Sequence, residues 1–429
     1  MEILYGKKTI TFDLPREWEP DLFRPNPILP VEDPIVEVIQ SLDHPYGNGR
    51  LEQFSGAASV AIAVSDETRP VPNDLILPLL LKRLHQMGIS KSAIRIFVAP
   101  GLHSPTPESR LANILPVDII HQYSITVHDA LHPDLKFLGR TARSTPVFVN
   151  PLFFDAEFRL VIGMIDPHQF VGYTGGVKGA AIGLAGAETI EANHSMLFHP
   201  QTLIGEIQDN PVRQDIEEIG KMMGVHFAID VVLDEANRII KAFSGEPSEV
   251  ERAGTEFCRK VYEIQALKEY DIVMVSAGGY PKDINLYQAQ KALAAATPLV
   301  RKGGDIILFA ECPEGHGDDV FYQTMKRYKS PQEVIESFQK ERFRMGVHKA
   351  FLWTRSLTKA QVYLRSALEE AVVYGLMVLP ANNIEELLRR INDQYARPPK
   401  IAIIPKGNST YTKRVQGLDK LVKNSRLVT

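Results

Sequence analysis

The chain has 429 residues, 48 Lys and Arg against 52 Asp and Glu, a formal net charge of -4 and two cysteines. That length exceeds what a single hydrophobic core organises, so two domains are expected, and the near-balanced charge offers no drive toward nucleic acid or an anionic membrane. Cys258 and Cys312 are too few for a disulfide framework or a thiolate metal cage and fit a reducing cytoplasm.

From the N-terminus, residues 1–15 alternate apolar and charged residues without the apolar stretch of a secretory signal, and no later run approaches a membrane span. A cytoplasmic location is expected. Val60 to Val64 reads as a buried strand, Asn73 to Gln86 as a helix stopped by Gly88, and Ile94 to Val98 as a second strand, together one βαβ unit. Strands follow at Ser124 to His128, Arg159 to Ile165 and Ala228 to Leu233, the last forming a hairpin with Arg238 to Phe243. The charged segment Glu251 to Glu269 reads as a connecting helix. From Asp271 the rhythm restarts: strand Ile272 to Ser276, a Gly-Gly turn, an Ala-rich helix from Ile284 to Val300, and strand Asp305 to Ala310. Helices are expected at Pro331 to Lys340 and Ile384 to Ile391, with a late strand at Lys400 to Pro405. The fold class is α/β, with two domains, each a mostly parallel sheet flanked by helices, and an active site in the cleft between them. The domains are expected at 1–262 and 263–415, with 416–429 a C-terminal helix that packs back at the domain boundary.

In open parallel sheets, ligands gather beyond the carboxyl ends of strands. Three loops at such positions carry Pro beside ionisable residues: Ser65-Asp66-Glu67-Thr68-Arg69-Pro70, Pro100-Gly101-Leu102-His103-Ser104-Pro105, and Asp166-Pro167-His168. Asp66 and Arg69 also fit a simple capped turn, and one histidine after a strand is more often structural than catalytic. Two in equivalent places suit an acid/base pair, because imidazole titrates near neutral pH.

The densest segment runs from Gly172-Tyr173-Thr174-Gly175-Gly176-Val177-Lys178 to Asn193-His194. Its glycines let backbone amides approach a phosphate, with Lys178 adding positive potential, but neither GxxxxGK[ST] nor GxGxxG spacing is present. Lys178 and His194 are sixteen residues apart. On one continuous helix they would be separated by about 24 Å on nearly opposite faces. Gly183 and Gly186 are expected to break the helix and fold the chain back, so that both reach one site.

Taken together these segments resemble the nickel-pincer-nucleotide-dependent lactate racemase family. The resemblance rests on Asp66-x-Thr68-Arg69-Pro70, Gly-Leu-His103, Asp166-Pro167-His168, Gly-Gly-x-Lys178, Asn193-His194, Gly278-Gly279-Tyr280-Pro281 and Leu286-Tyr287-Gln288-Ala289-Gln290-Lys291. It implies a racemase or epimerase that inverts C2 of a 2-hydroxyacid by moving a hydride to and from the cofactor, a nickel pincer derivative of a pyridinium mononucleotide. By the same resemblance Lys178 tethers that cofactor and His194 is the protein's nickel ligand. Asp66, Thr68, Gly175 and Gly176 would hold its ribose and phosphate, His103 and His168 would be the acid/base pair, and Arg69 would steady the hydroxyl. Tyr287, Gln288 and Lys291 would bind the substrate carboxylate, and Trp353 is a candidate for closing the pocket. Cofactor-maturation proteins are the implied partners.

Two positions depart from the family pattern: Ile182-Gly183 stands where Pro-Gly is common after the lysine loop, and Ser104 follows His103 where Arg is frequent. They leave open which 2-hydroxyacid is bound. The competing readings are a nucleotide- or cofactor-binding protein without turnover and a metal-dependent hydrolase, the latter lacking any HExxH-like spacing.

Overall fold

The computed structural model describes residues 1–26, 28–340 and 346–414. The chain forms two compact units, Pro27–Lys260 and a second made of Met1–Asn26 with Val261–Thr429. The first 26 residues therefore belong with the C-terminal part and not with the 1–262 domain expected from the sequence. They supply β1 (Glu2–Tyr5), β2 (Lys8–Thr11) and β3 (Pro20–Leu22).

The unit Pro27–Lys260 begins with α1 (Pro34–Asp43), where Asp33 accepts from the amides of Ile35 and Val36 and Pro34 occupies the first helical turn. Then come β4 (Val60–Ser65), α2 (Asn73–Gln86), β5 (Ile94–Ala99), α3 (Val117–Gln122) and β6 (Ser124–Val127). A hairpin of β7 (Lys136–Arg140) and β8 (Pro146–Val149) precedes α4 (Pro151–Phe154) and β9 (Phe158–Met164). The small hairpin β10 (Pro167–His168) and β11 (Gly172–Tyr173) leads to α5 (Lys178–Ala181), α6 (Ala187–Ser195), α7 (Pro211–Met223), β12 (Phe227–Leu233), β13 (Ile239–Gly245) and α8 (Pro247–Tyr262). The main sheet runs in the order β13-β12-β9-β4-β5-β6. It is parallel from β12 to β6, with β13 antiparallel at its edge, as the hairpin expectation required. The central strands are nearly continuous apolar runs because both faces are covered. The order reverses between β4 and β9, where a doubly wound sheet opens a crevice at its carboxyl edge.

The second unit continues with β14 (Glu263–Ala266), β15 (Tyr270–Ser276), α9 (Leu286–Ala289), α10 (Lys291–Ala296), β16 (Val300–Phe309), α11 (Asp319–Arg327), α12 (Pro331–Lys340) and α13 (Val347–Leu357). It ends with β17 (Ala360–Arg365), α14 (Glu370–Gly375), β18 (Leu379–Pro380), α15 (Ile384–Asn392), β19 (Ile401–Ile404) and β20 (Tyr411–Arg414). Its sheet is parallel throughout, ordered β18-β17-β16-β15-β19-β3. Two expectations change here. The connecting helix stops at Tyr262, and Glu263–Ala266 is a strand parallel to Tyr411–Arg414. The Ala-rich helix is two short pieces joined at Gln290, which keeps α-helical φ and ψ. The helix expected at 416–429 lies outside the described residues.

Candidate active site

The carboxyl end of β4 delivers Asp66, whose side chain is 8% exposed while that of its partner His103 is 49% exposed. Oδ1 of Asp66 accepts from the Thr68 amide at 3.2 Å and from the Thr68 hydroxyl at 2.6 Å, and Oδ2 lies 2.7 Å from His103 Nδ1. Burial pushes the carboxyl pKa up, but the hydrogen bonds from His103 and Thr68 outweigh it and hold the group below the usual range. Asp66 is therefore ionised at neutral pH, and His103 faces it with Nδ1–H. That leaves the Nε2 lone pair on the exposed side of the ring. The geometry thus engages Asp66 and Thr68 in orienting His103, a role their sequence did not suggest.

Next to this end of β4 lies the glycine loop that follows β9. Thr174 donates its hydroxyl to the Met164 carbonyl at 2.7 Å. Gly175 and Gly176 both have positive φ, and a Cβ at Gly175 would stand 2.4 Å from Ile165 Cγ1. Only glycine combines that backbone with that approach. The Gly176 N–H donates to Asp230 Oδ2 at 2.7 Å. This amide, expected to face a phosphate, instead turns inward to a buried carboxylate. Burial raises the Asp230 pKa to about 7, against the lowering pull of Gly176 and Arg213. Asp230, Lys178, Arg69, Ser65 and Met164 line a cavity of about 40 Å³ between the ends of β4 and β9.

Lys178 opens α5. Burial and the nearby charges of Arg69 and Arg213 lower its pKa to about 7, against the opposing pull of Asp66. The helix stops at Ala181 and α6 starts at Ala187, so the break expected at Gly183 and Gly186 is present. Its cause is close packing and not unusual dihedrals: a Cβ at Gly183 would meet the Gly179 carbonyl at 2.2 Å, and one at Gly186 would meet Leu135 Cδ1 at 2.7 Å. The return brings His194 within electrostatic reach of Lys178. Burial, with the Lys178 charge second, lowers the His194 pKa to about 3, so its imidazole is neutral. The Phe170 ring stands edge-on between His168, 4.8 Å away, and His194, 5.1 Å away. His168 Nδ1 accepts a long bond from the Val171 amide at 3.4 Å. Asp66, Arg69, His103, His168, Lys178 and His194 are thus linked within one unit by a hydrogen bond, ring contacts, a shared cavity and charge interactions. Among the described residues no group of three or more His, Cys, Asp or Glu side chains is arranged to hold a metal ion.

In the second unit Asn285 caps α9 by accepting from the Gln288 amide at 3.1 Å, and Asn408 Nδ2 donates to the Gln288 carbonyl at 3.2 Å. Because Gln290 stays helical, Gln288 and Lys291 keep one face. Tyr287 packs edge-on against His348 at 6.5 Å and beneath Lys349 Nζ at 4.7 Å. Burial raises its pKa to about 12, so its hydroxyl stays a donor. His348 and Lys349 carry no motif that the sequence could signal. Trp353 is fully buried and donates Nε1–H to the Leu376 carbonyl at 2.9 Å. It is a core residue and closes no pocket.

Residues 5–205 match the family model described as the lactate racemase N-terminal domain, and residues 265–411 match the one described as the lactate racemase C-terminal domain. A protein named lactate racemase from Thermoanaerobacterium thermosaccharolyticum is 30% identical over 425 residues, covering 96% of this chain and 99% of that protein. One of the same name from Lactiplantibacillus plantarum is 29% identical over 384 residues, covering 88% and 90%. The solved lactate racemase apoprotein from T. thermosaccharolyticum superposes with a TM-score of 0.88 at 30% identity, over 96% of this chain and 99% of that one. A Thermotoga maritima protein at 18% identity and a TM-score of 0.63 shares the fold.

Proposed function

The chain belongs to the lactate racemase family, and we propose that it is a racemase or epimerase of a 2-hydroxyacid, lactate or a near relative, working with a nickel pincer nucleotide. The observation that carries this reading is the pairing of Lys178, an amine with its pKa lowered to about 7, with one neutral imidazole, His194. A nickel ion held by protein side chains alone needs several donors. A single imidazole suits a metal whose other donors come with the cofactor. The amine suits covalent attachment because a large share of it is unprotonated at neutral pH, as a nucleophile requires.

Lys178 would hold the cofactor covalently and His194 would ligate its metal. When bound, that group would supply the hydride chemistry at substrate C2. His103, backed by Asp66, accepts the hydroxyl proton through Nε2. His168 serves the other enantiomer in the same way, so that proton exchange is available for both hands of the substrate. Arg69 steadies the substrate oxygen as its charge develops. Gln288 and Lys291 bind the carboxylate, with Tyr287 donating its hydroxyl beside them.

The test is the full chain produced together with cofactor-building proteins. Its intact mass should exceed the sequence mass by one adduct that is absent from Lys178→Ala. Chiral chromatography should show each enantiomer of lactate, or of another 2-hydroxyacid in a panel, converting to a mixture. Unmodified protein with full activity would exclude the tether. Nickel-loaded, modified protein inert on every acid tried would end the racemase assignment.

A further inference from the structure

Behind His194 a file of hydrogen bonds runs through the packing of α6 on α7. The Thr145 amide donates to Thr141 Oγ1 at 3.2 Å, and the Thr141 hydroxyl donates onward to Asp215 Oδ1 at 2.5 Å. Asp215 Oδ2 accepts from Asn193 Nδ2 at 2.9 Å, and the same Nδ2 donates to the Val212 carbonyl at 3.1 Å. A carboxylate and a carbonyl are acceptors only, so the amide cannot be flipped. Its nitrogen faces Asp215 and Val212, and its oxygen faces His194. Asn193 Oδ1 lies 2.9 Å from His194 Nδ1. An amide oxygen can only accept, so Nδ1 must carry the hydrogen and Nε2 the lone pair. Asp215 and Asn193 are both fully buried, where a half-satisfied file would be costly, so one arrangement dominates.

We propose that Asp215 is a positioning residue: acting through Asn193, it locks His194 in the Nδ1–H tautomer and so presents Nε2 as the nitrogen that binds metal. The last step rests on the ligand role proposed for His194; the tautomer lock does not. Outer partners of this kind fix ring orientation and ligand basicity in metal-binding histidines.

The experiment is nitrogen-15 NMR of the histidine rings in the unloaded full chain at neutral pH, with His194 assigned by its loss in His194→Gln. Wild type should show Nδ1 protonated and Nε2 bare. Asp215→Ala, verified as folded by circular dichroism, should raise the Nε2–H tautomer to about a third or more of the population, because the ring tautomer follows its hydrogen-bond partner. Should that variant fail to fold, the isosteric Asp215→Asn keeps its oxygen on the Thr141 hydroxyl, turns an NH2 toward Asn193, and should move the same signal in the same direction. A wild-type ring protonated at Nε2, or a folded variant with an unmoved tautomer, overturns the proposal. In parallel, loaded Asp215→Ala should lose nickel on dialysis about 10- to 100-fold more readily than wild type. A tautomer shift with unchanged nickel retention would sink the ligand role of His194 while leaving the lock standing.

Discussion

Replacing Asp66 by Asn alters one atom, yet it should reverse the chemistry of His103. The Thr68 amide and hydroxyl both donate to Oδ1 and would keep the Asn oxygen there. The new NH2 would then face His103 Nδ1 and force that nitrogen to accept, moving the ring proton to Nε2. A base presented with its proton on the wrong nitrogen cannot take the substrate hydroxyl proton. The expected result is a fall in kcat of about 10²–10⁴-fold, the usual worth of general acid–base catalysis, with unchanged thermal unfolding. Equal loss of activity in Asp66→Asn and Asp66→Ala, with no change in the His103 tautomer by NMR, would refute this account. Lys178 offers a second test, through stability. Its pKa falls from an ordinary 10.5 to about 7 in the folded protein. Between those values the unfolded chain holds a proton that the fold lacks, so the cost is complete below pH 7 and fades as pH rises to 10.5. Lys178→Met should therefore stabilise the protein by on the order of 1–3 kcal/mol near pH 6, and the gain in urea unfolding should vanish above pH 10.5. A gain that persists there would mean the amine is not depressed. Lys178, His103 and His168 stood out because loops rich in Gly and Pro after apolar strands advertise themselves, and His194 because it follows Asn193 in the segment that the glycine loop opens. Asp215 was not: an acid inside an amphipathic helix looks like any solvated face. Asp230, lone within the apolar run Phe227–Leu233, was a signal open to reading.

The elements that could be placed from sequence are those with a long single period. β4, β5, β9, β12 and α2 match their expected spans to within one or two residues, because buried parallel strands and an amphipathic helix stopped by glycine each leave an unmistakable pattern. The hairpins β7–β8 and β10–β11 escaped. Two-residue strands such as Pro167–His168 have no period to detect, and their pairing is imposed by the loop they close. The helix break between α5 and α6 was anticipated, but for a different reason, and the difference is testable. If the glycines were needed for dihedral freedom, any side chain would be refused for strain. The structure refuses volume: Gly183 lies against the Gly179 carbonyl and Ala99 Cβ, the latter 2.7 Å from where a Cβ would be. Gly183→Ala should cost about 1–3 kcal/mol by overpacking, and Gly183→Val more. Because the strain falls between Lys178 and His194, both should lower cofactor occupancy by intact mass more than a stability loss of that size predicts. Wild-type occupancy in a clearly destabilised Gly183→Ala would show that this linker does not set the spacing of the two residues.

At the scale of the whole molecule, the chain path separates sequence order from folding unit. Sheet order could not be read beforehand, since β3 pairs with β19 across most of the chain and no local pattern announces a partner so distant. The consequence is that Pro27–Lys260 interrupts a unit whose halves are continuous in space. The Asn26 amide donates to the Val261 carbonyl at 3.0 Å, so the two cut ends of that unit are neighbours. Residues 1–26 also place Ile3, Phe12 and Trp18 in the core formed with Ile272, Phe309 and Ile403. Burying each such side chain is worth roughly 1.5–3 kcal/mol, and their sum approaches the total stability of a typical domain, about 5–15 kcal/mol. Residues 261–429 alone should therefore lack a cooperative unfolding transition. The same residues preceded by 1–26 through a two- or three-glycine link should regain one, with near-ultraviolet circular dichroism showing Trp18 in a fixed environment. Equal cooperativity in both chains would mean that β3 and the β1–β2 hairpin merely decorate a core complete without them.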